Sequence, residues 1–88
     1  MGRLFTPDGE IREVKPKGKK WELHEMQELV GGYLEAVPHL KSTVYCDEEG
    51  LLKGLPFNEY ATLHVNGLLV AKNHPYRCRL VGNVLFLD

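Results

Sequence analysis

Two cysteines, four histidines and two runs of carboxylates are the side chains of this sequence with chemistry to offer: Cys46 and Cys78; His24, His39, His64 and His74; Glu22, Glu25 and Glu28; Asp47, Glu48 and Glu49. A cysteine nucleophile needs a low-pKa thiol, a histidine base and an oxyanion site. Cys46 lies in an alternating apolar stretch and is followed at once by three acids, which raise a thiol pKa, so nucleophilic use is not expected. The metal-ligand spacings Cys-x-x-Cys and His-x-x-x-His are absent, and Pro75 opposes a helix joining His74 to Cys78. Both thiols are therefore expected to act as small hydrophobes, with no metal and no cofactor. The carboxylate runs read as solvated, and no glycine-rich phosphate loop follows a strand, so acid/base catalysis and nucleotide hydrolysis have no scaffold. The expectation is a protein that is not an enzyme.

The elements that must position any contact residues follow from periodicity and turn chemistry. Pro7-Asp8-Gly9, between the apolar Leu4-Phe5 and Ile11 to Val14, predicts an opening hairpin. Leu23, Met26, Leu29 and Val30 recur at helical spacing, and Gly31-Gly32 supplies a left-handed C-cap, which predicts the main helix over about 21–31. Tyr33 to Val37 alternates as a strand that ends at Pro38, and Thr43 to Cys46 is a second, turning at Asp47-Glu48-Glu49-Gly50 with Leu51-Leu52 continuing beyond. Asn58 is suited to cap a short second helix over about 58–66. Asn66-Gly67 fits either the end of that helix or a two-residue hairpin, and the helix end is the reading adopted. Leu68 to Ala71 fits a strand or a buried extension, and the apolar segment Cys78 to Leu87 fits a central strand with a bulge or bend at Gly82-Asn83. The fold class is α+β: one small domain over 1–88, a mostly antiparallel sheet, one main helix across it and a short second helix.

With 88 residues and 43% hydrophobic content, the core is thin and leaves little room for a deep cavity. The net charge of −1 provides no global field for a polyanion or an anionic membrane. No apolar run has the length of a membrane span, and the N-terminal residues lack the apolar core of a signal peptide, so the cytoplasm is the expected location. Lys15, Lys17, Lys19 and Lys20 beside Trp21 suit phosphate contact with base stacking, but nearby Glu13, Glu22 and Glu25 favour a solvated loop. Nucleic acid is thus the lesser expectation. Contact candidates are Tyr33 and Glu35, after the paired glycines, and Pro56, Phe57, Asn58 and Tyr60, a loop carrying more aromatic surface than a cap requires. For Asn58 the cap is favoured over the contact.

Two blocks carry a family resemblance. Glu28-Leu29-Val30-Gly31-Gly32-Tyr33-Leu34-Glu35 is similar to a helix-to-strand junction, and Asp47-Glu48-Glu49-Gly50 with Leu52, Gly54-Leu55-Pro56 and Asn58 to a second block, of domain of unknown function 3846. Leu80-Val81-Gly82-Asn83 adds a weaker match, and the resemblance runs from about Trp21 to the end. It implies a phage or prophage accessory protein of α+β type without an assigned activity. The functional expectation is a non-enzymatic module that binds and modulates a host protein through an aromatic and acidic surface. The alternative is an oligomer that takes a nucleotide-like ligand between subunits.

Overall fold

Val84, Leu85, Phe86 and Leu87 form a strand with apolar side chains at every position, which requires cover on both faces of the sheet. The computed structural model, which describes residues 2–41 and 43–87, supplies that cover. The elements are β1 (Gly2–Phe5), β2 (Ile11–Val14), α1 (Leu23–Val30), β3 (Leu34–Ala36), β4 (Val44–Asp47), α2 (Glu59–Ala71) and β5 (Val84–Leu87). The strands form one sheet in the order β2-β1-β5-β4-β3, with every pairing antiparallel. Side-chain alternation splits its apolar residues into two cores. Leu4 and Leu85 join Met26 and Val30 beneath α1, while Phe5, Val44, Val84 and Phe86 join Ala61, Val65 and Leu69 beneath α2. The α+β class is as expected, but the helices take opposite faces where one covered face had been read.

The opening hairpin and α1 follow local chemistry. Gly9 has φ of 91° in the turn, and Gly31 has φ of 92° as the C-cap of α1. The Gly31 and Gly32 N–H groups both donate to the Gln27 carbonyl oxygen, at 2.7 and 3.1 Å. Trp21 packs half-buried on the α1 core, and its indole N–H finds no partner among the described residues.

The second helix differs from expectation. It starts after Asn58, as read, but continues through Asn66-Gly67 to Ala71. Tertiary hydrogen bonds outweigh the local turn signal: the Asn66 side-chain amide donates to the Cys78 carbonyl oxygen at 3.1 Å, and its oxygen accepts the Cys78 N–H at 3.0 Å. One turn earlier, the Thr62 hydroxyl accepts the Leu80 N–H at 2.9 Å. Asn58 completes the series. It is fully buried, its oxygen accepts from Ala61 N–H, and its amide donates to the carbonyls of Phe5 and Gly82 at 3.0 and 2.8 Å. Asn58, Thr62 and Asn66 thus share one face of α2 and satisfy the returning chain, which pairs as a strand only at the isolated Phe57–Val81 bridge among the described residues. Leu51-Leu52 also departs from expectation, forming turns rather than a strand, and β5 begins at Val84 because Gly82, with φ of 71°, bends the chain before it.

These bonds predict an unusual pair of substitutions. Asn58→Ala should cost about 2–4 kcal/mol, from a lost cap and two buried carbonyls left without donors. Asn58→Asp should cost at least as much although Asp is an equally good N-cap, because a carboxylate cannot donate to Phe5 and Gly82. Urea unfolding of the three proteins measures this, and an Asp variant as stable as wild type would reduce Asn58 to a cap.

Candidate functional site

Gly31-Gly32 and the acidic turn after β4, far apart in sequence, interlock. Asp47 at the end of β4 is buried, and its Oδ2 receives the Lys53 ammonium at 2.7 Å while its Oδ1 accepts the Glu49 N–H at 2.8 Å. Lys53 Nζ also donates to the Gly31 carbonyl oxygen at 3.3 Å, and the Glu48 N–H donates to the Tyr33 carbonyl at 2.8 Å. Gly32 lies directly against this pair. A Cβ there would stand 2.6 Å from Asp47 Oδ2 and 2.7 Å from Lys53 Nζ, so any side chain would have to push the Asp47–Lys53 pair aside. The first glycine is needed for its dihedral angle, the second for contact.

Burial by itself raises the Asp47 carboxyl, but the hydrogen bonds from Lys53 and from the Glu49 N–H, with the lysine's charge, outweigh it and hold the group below its ordinary value. The same hydrogen bond holds Lys53 above its ordinary value. The acidic runs are therefore not uniformly solvated, as the sequence suggested. Asp47 is buried in this pair, and Glu25 is buried beneath the lysine-rich segment, its carboxylate accepting the Lys17 N–H.

The interlock forms the floor of an open groove of about 420 Å3 lined by His24, Gln27 and Glu28 of α1, Gly31, Gly32, Tyr33, and Glu49 and Lys53 of the turn. Tyr33 is 66% exposed on it, and Leu52, in the same turn as Glu49 and Lys53, is 87% exposed, while Leu51, 79% exposed, lines a separate cavity with Glu35.

The six sequence-derived contact candidates do not meet at one place. Tyr33 is on this groove. Glu35, exposed on edge strand β3, lines a separate cavity of about 190 Å3 with Cys46, Tyr76, Cys78 and Arg79. Pro56 is exposed, but its carbonyl accepts the Gly82 N–H at 2.8 Å, Phe57 bridges to Val81, and the Arg79 guanidinium lies 4.3 Å from the Phe57 ring centre. Asn58 is buried and committed to the fold, out of a partner's reach. Tyr60 projects from the first turn of α2 beside Ile11 and Leu63. Lys53, Leu51 and Leu52 were not among these candidates; the proximity of the paired glycines to the acidic turn is visible only once the chain is folded.

Burial, then Glu35, Cys78 and Asp47, push the Cys46 thiol up to about 11. His39 and His74 stack with ring centres 4.0 Å apart and Tyr76 edge-on to His39 at 5.1 Å. Among the described residues, no group of three or more His, Cys, Asp or Glu side chains is placed to hold a metal ion. No helix among them is long and apolar enough to cross a membrane.

Residues 4–88 match the family described as domain of unknown function (DUF3846). The chain belongs to this family. The match includes the opening hairpin, which the resemblance from Trp21 onward had left out. No curated protein and no solved structure shows a significant match to the chain. Within this DUF3846 member, the two blocks that carried the resemblance are the two halves of the Asp47–Lys53–Gly32 interlock.

The interlock makes a coupled prediction. Gly32→Ala should destabilise by about 1–3 kcal/mol through overpacking, and the penalty should shrink in an Asp47→Ala background, because the two substitutions act on one contact. The Asp47 carboxyl is depressed in the fold, so its contribution is complete above the unfolded carboxylate pKa of about 4 and is lost as pH falls through the lower folded value. The Tm gap between wild type and Asp47→Asn should accordingly narrow from pH 7 to pH 3. A gap independent of pH would show that the ion pair contributes nothing.

Proposed function

We propose that this DUF3846 protein is a non-enzymatic binding module that docks a host protein on the surface around Tyr33 and modulates it, in the cytoplasm of a phage-carrying bacterium. The observation that carries the reading is the exposure of Tyr33 on the groove floored by the Asp47–Lys53 pair, with Leu52 exposed in the adjoining turn. Rigid presentation lowers the entropy lost on docking, and aromatic and aliphatic anchors dominate contact energies. Glu28 and Glu49 in the groove wall and Glu48 in the turn make the surface acidic, which suits a partner with a basic rim. Phe57 is the weaker anchor, because the Arg79 guanidinium already covers its ring at 4.3 Å. Support for the non-enzymatic part comes from the state of the reactive groups: the Cys46 thiol stays protonated at neutral pH, and the Asp47 carboxylate is committed to Lys53.

The test is capture of partners from bacterial lysate on the immobilised chain, with identification by mass spectrometry. Tyr33→Ala and Leu52→Asp should each weaken the identified complex by at least ~30-fold, the scale of an anchor residue, with Tm unchanged. Retained capture in both variants would refute the reading. A small molecule released from the purified protein on denaturation, and lost in Tyr33→Ala, would instead make the groove a ligand site.

A further inference from the structure

The carboxylates of this chain stop at Glu59 and resume only at Asp88, and none lies between Glu35 and Asp47. Turns from these two acid-free stretches meet beside the C-terminal end of α2. Lys72 Nζ donates to the His39 carbonyl at 3.4 Å, and the His39 and His74 rings stack with centres 4.0 Å apart, with Tyr76 edge-on to His39. Four exposed cations belong to the same segments: Lys41, Lys72, Arg77 and Arg79. Among the described residues, none of the four is ion-paired with a carboxylate. Arg77 donates to the carbonyls of His74 and Tyr76 at 2.6 and 2.7 Å, and Arg79 lies over the Phe57 ring, so both are held in place with their charge unneutralised. Glu35 and Glu48, which share a cavity with Tyr76 and Arg79, mark the border of this basic patch. The near-zero charge of the whole chain does not erase it, because salt screens charges more than about 8–10 Å apart.

We propose that this patch binds single-stranded nucleic acid, with Lys41, Lys72, Arg77 and Arg79 on the phosphates and with Tyr76 and the His39–His74 pair offering ring surface to unstacked bases. Phosphates alone would account for the cations. Rings set among them favour a strand whose bases are free to stack, since a duplex hides those faces. The backbone agrees. His39, Lys41 and Asn73, in the two turns, have φ of 70°, 54° and 57°, and they are the residues other than glycine with positive φ among those described. A lysine in this conformation is costlier than a glycine, and strain of this kind collects at sites that bind. The lysine run from Lys15 to Lys20 is built differently. Its Trp21 packs on the α1 core, and the Lys17 N–H is tied to the buried Glu25. The patch is also separate from the groove at Tyr33 and does not rest on the function proposed for that groove.

The experiment is fluorescence anisotropy of the full chain with labelled oligothymidylate and oligouridylate of about 12 nucleotides, the two arms separating DNA from RNA. At least one should bind with Kd on the order of 1–100 μM near physiological salt, and log K should fall against log salt with a slope of about −2 to −3, as for three or four phosphates on a single strand. A duplex of the same length should bind at least ~5-fold more weakly. Lys72→Glu and Arg77→Glu should each weaken binding ~10-fold and flatten the slope. Tyr76→Ala should weaken it at least ~5-fold with the slope unchanged, because a ring and not a charge is lost. Lys41→Gly, which suits the positive φ, should weaken binding ~3-fold while Tm stays level or rises. Replacing Lys15, Lys17, Lys19 and Lys20 together by Ala should leave binding intact. No saturation below about 1 mM, equal affinity for the duplex, loss of binding in the lysine-run variant, or full affinity in both Tyr76→Ala and Lys41→Gly would each overturn the proposal. So would capture of phosphatidylglycerol vesicles without affinity for either oligonucleotide.

Discussion

One fully buried amide, that of Asn58, holds three parts of this molecule in register. Its oxygen caps α2, and its two N–H groups reach the end of β1 and the bend before β5, 53 and 24 residues away in sequence. A buried polar group is costly when any of its bonds is unmade, so the side chain admits only arrangements in which all three segments are in place. The position of α2 over the sheet, the bend at Gly82 and the entry into the central strand are consequences of that condition. The Asn58 N–H adds a fourth tie, donating to the Leu80 carbonyl at 2.9 Å.

The same accounting explains why α2 continues past its apparent end. The segment after α2 runs back along the helix toward β5 and pairs as a strand only at the isolated Phe57–Val81 bridge among the described residues, so its earlier backbone groups need other partners. Thr62 and Asn66, one and two turns beyond Asn58, provide them at Leu80 and Cys78. Polar side chains at a spacing of four on a helix do here what a strand edge does elsewhere. The apolar residues between them, Ala61, Val65 and Leu69, fill the core on the sheet-facing side.

What the sequence disclosed was what local chemistry decides. The hairpin at Pro7-Asp8-Gly9, the periodicity of α1, the left-handed cap at Gly31 and the N-cap at Asn58 each depend on a few neighbouring residues, and each was legible. Asn66-Gly67 misled because its turn propensity is local and the bonds that override it come from Cys78, twelve residues away. Asp47 was read as solvated because an acidic run beside glycine ordinarily is; its burial depends on Lys53 and on an approach to Gly32 that exists only after β3 and β4 pair. The exposure of Tyr33 was legible from its place after the paired glycines. That of Leu51 and Leu52 was not, since a strand assignment would have hidden one of them.

The two-sided sheet has a further consequence for how the surfaces divide. Central strand β5 is buried on both faces, so α1 and α2 are held on opposite sides with no direct route from one outer face to the other. The Tyr33 groove belongs to the α1 side, and the exposed Tyr60 and Leu63 of α2 to the other. The two faces are joined through the close-packed side chains of β5, whose residues alternate between the two cores, so a substitution beneath one helix is felt beneath the other through that strand.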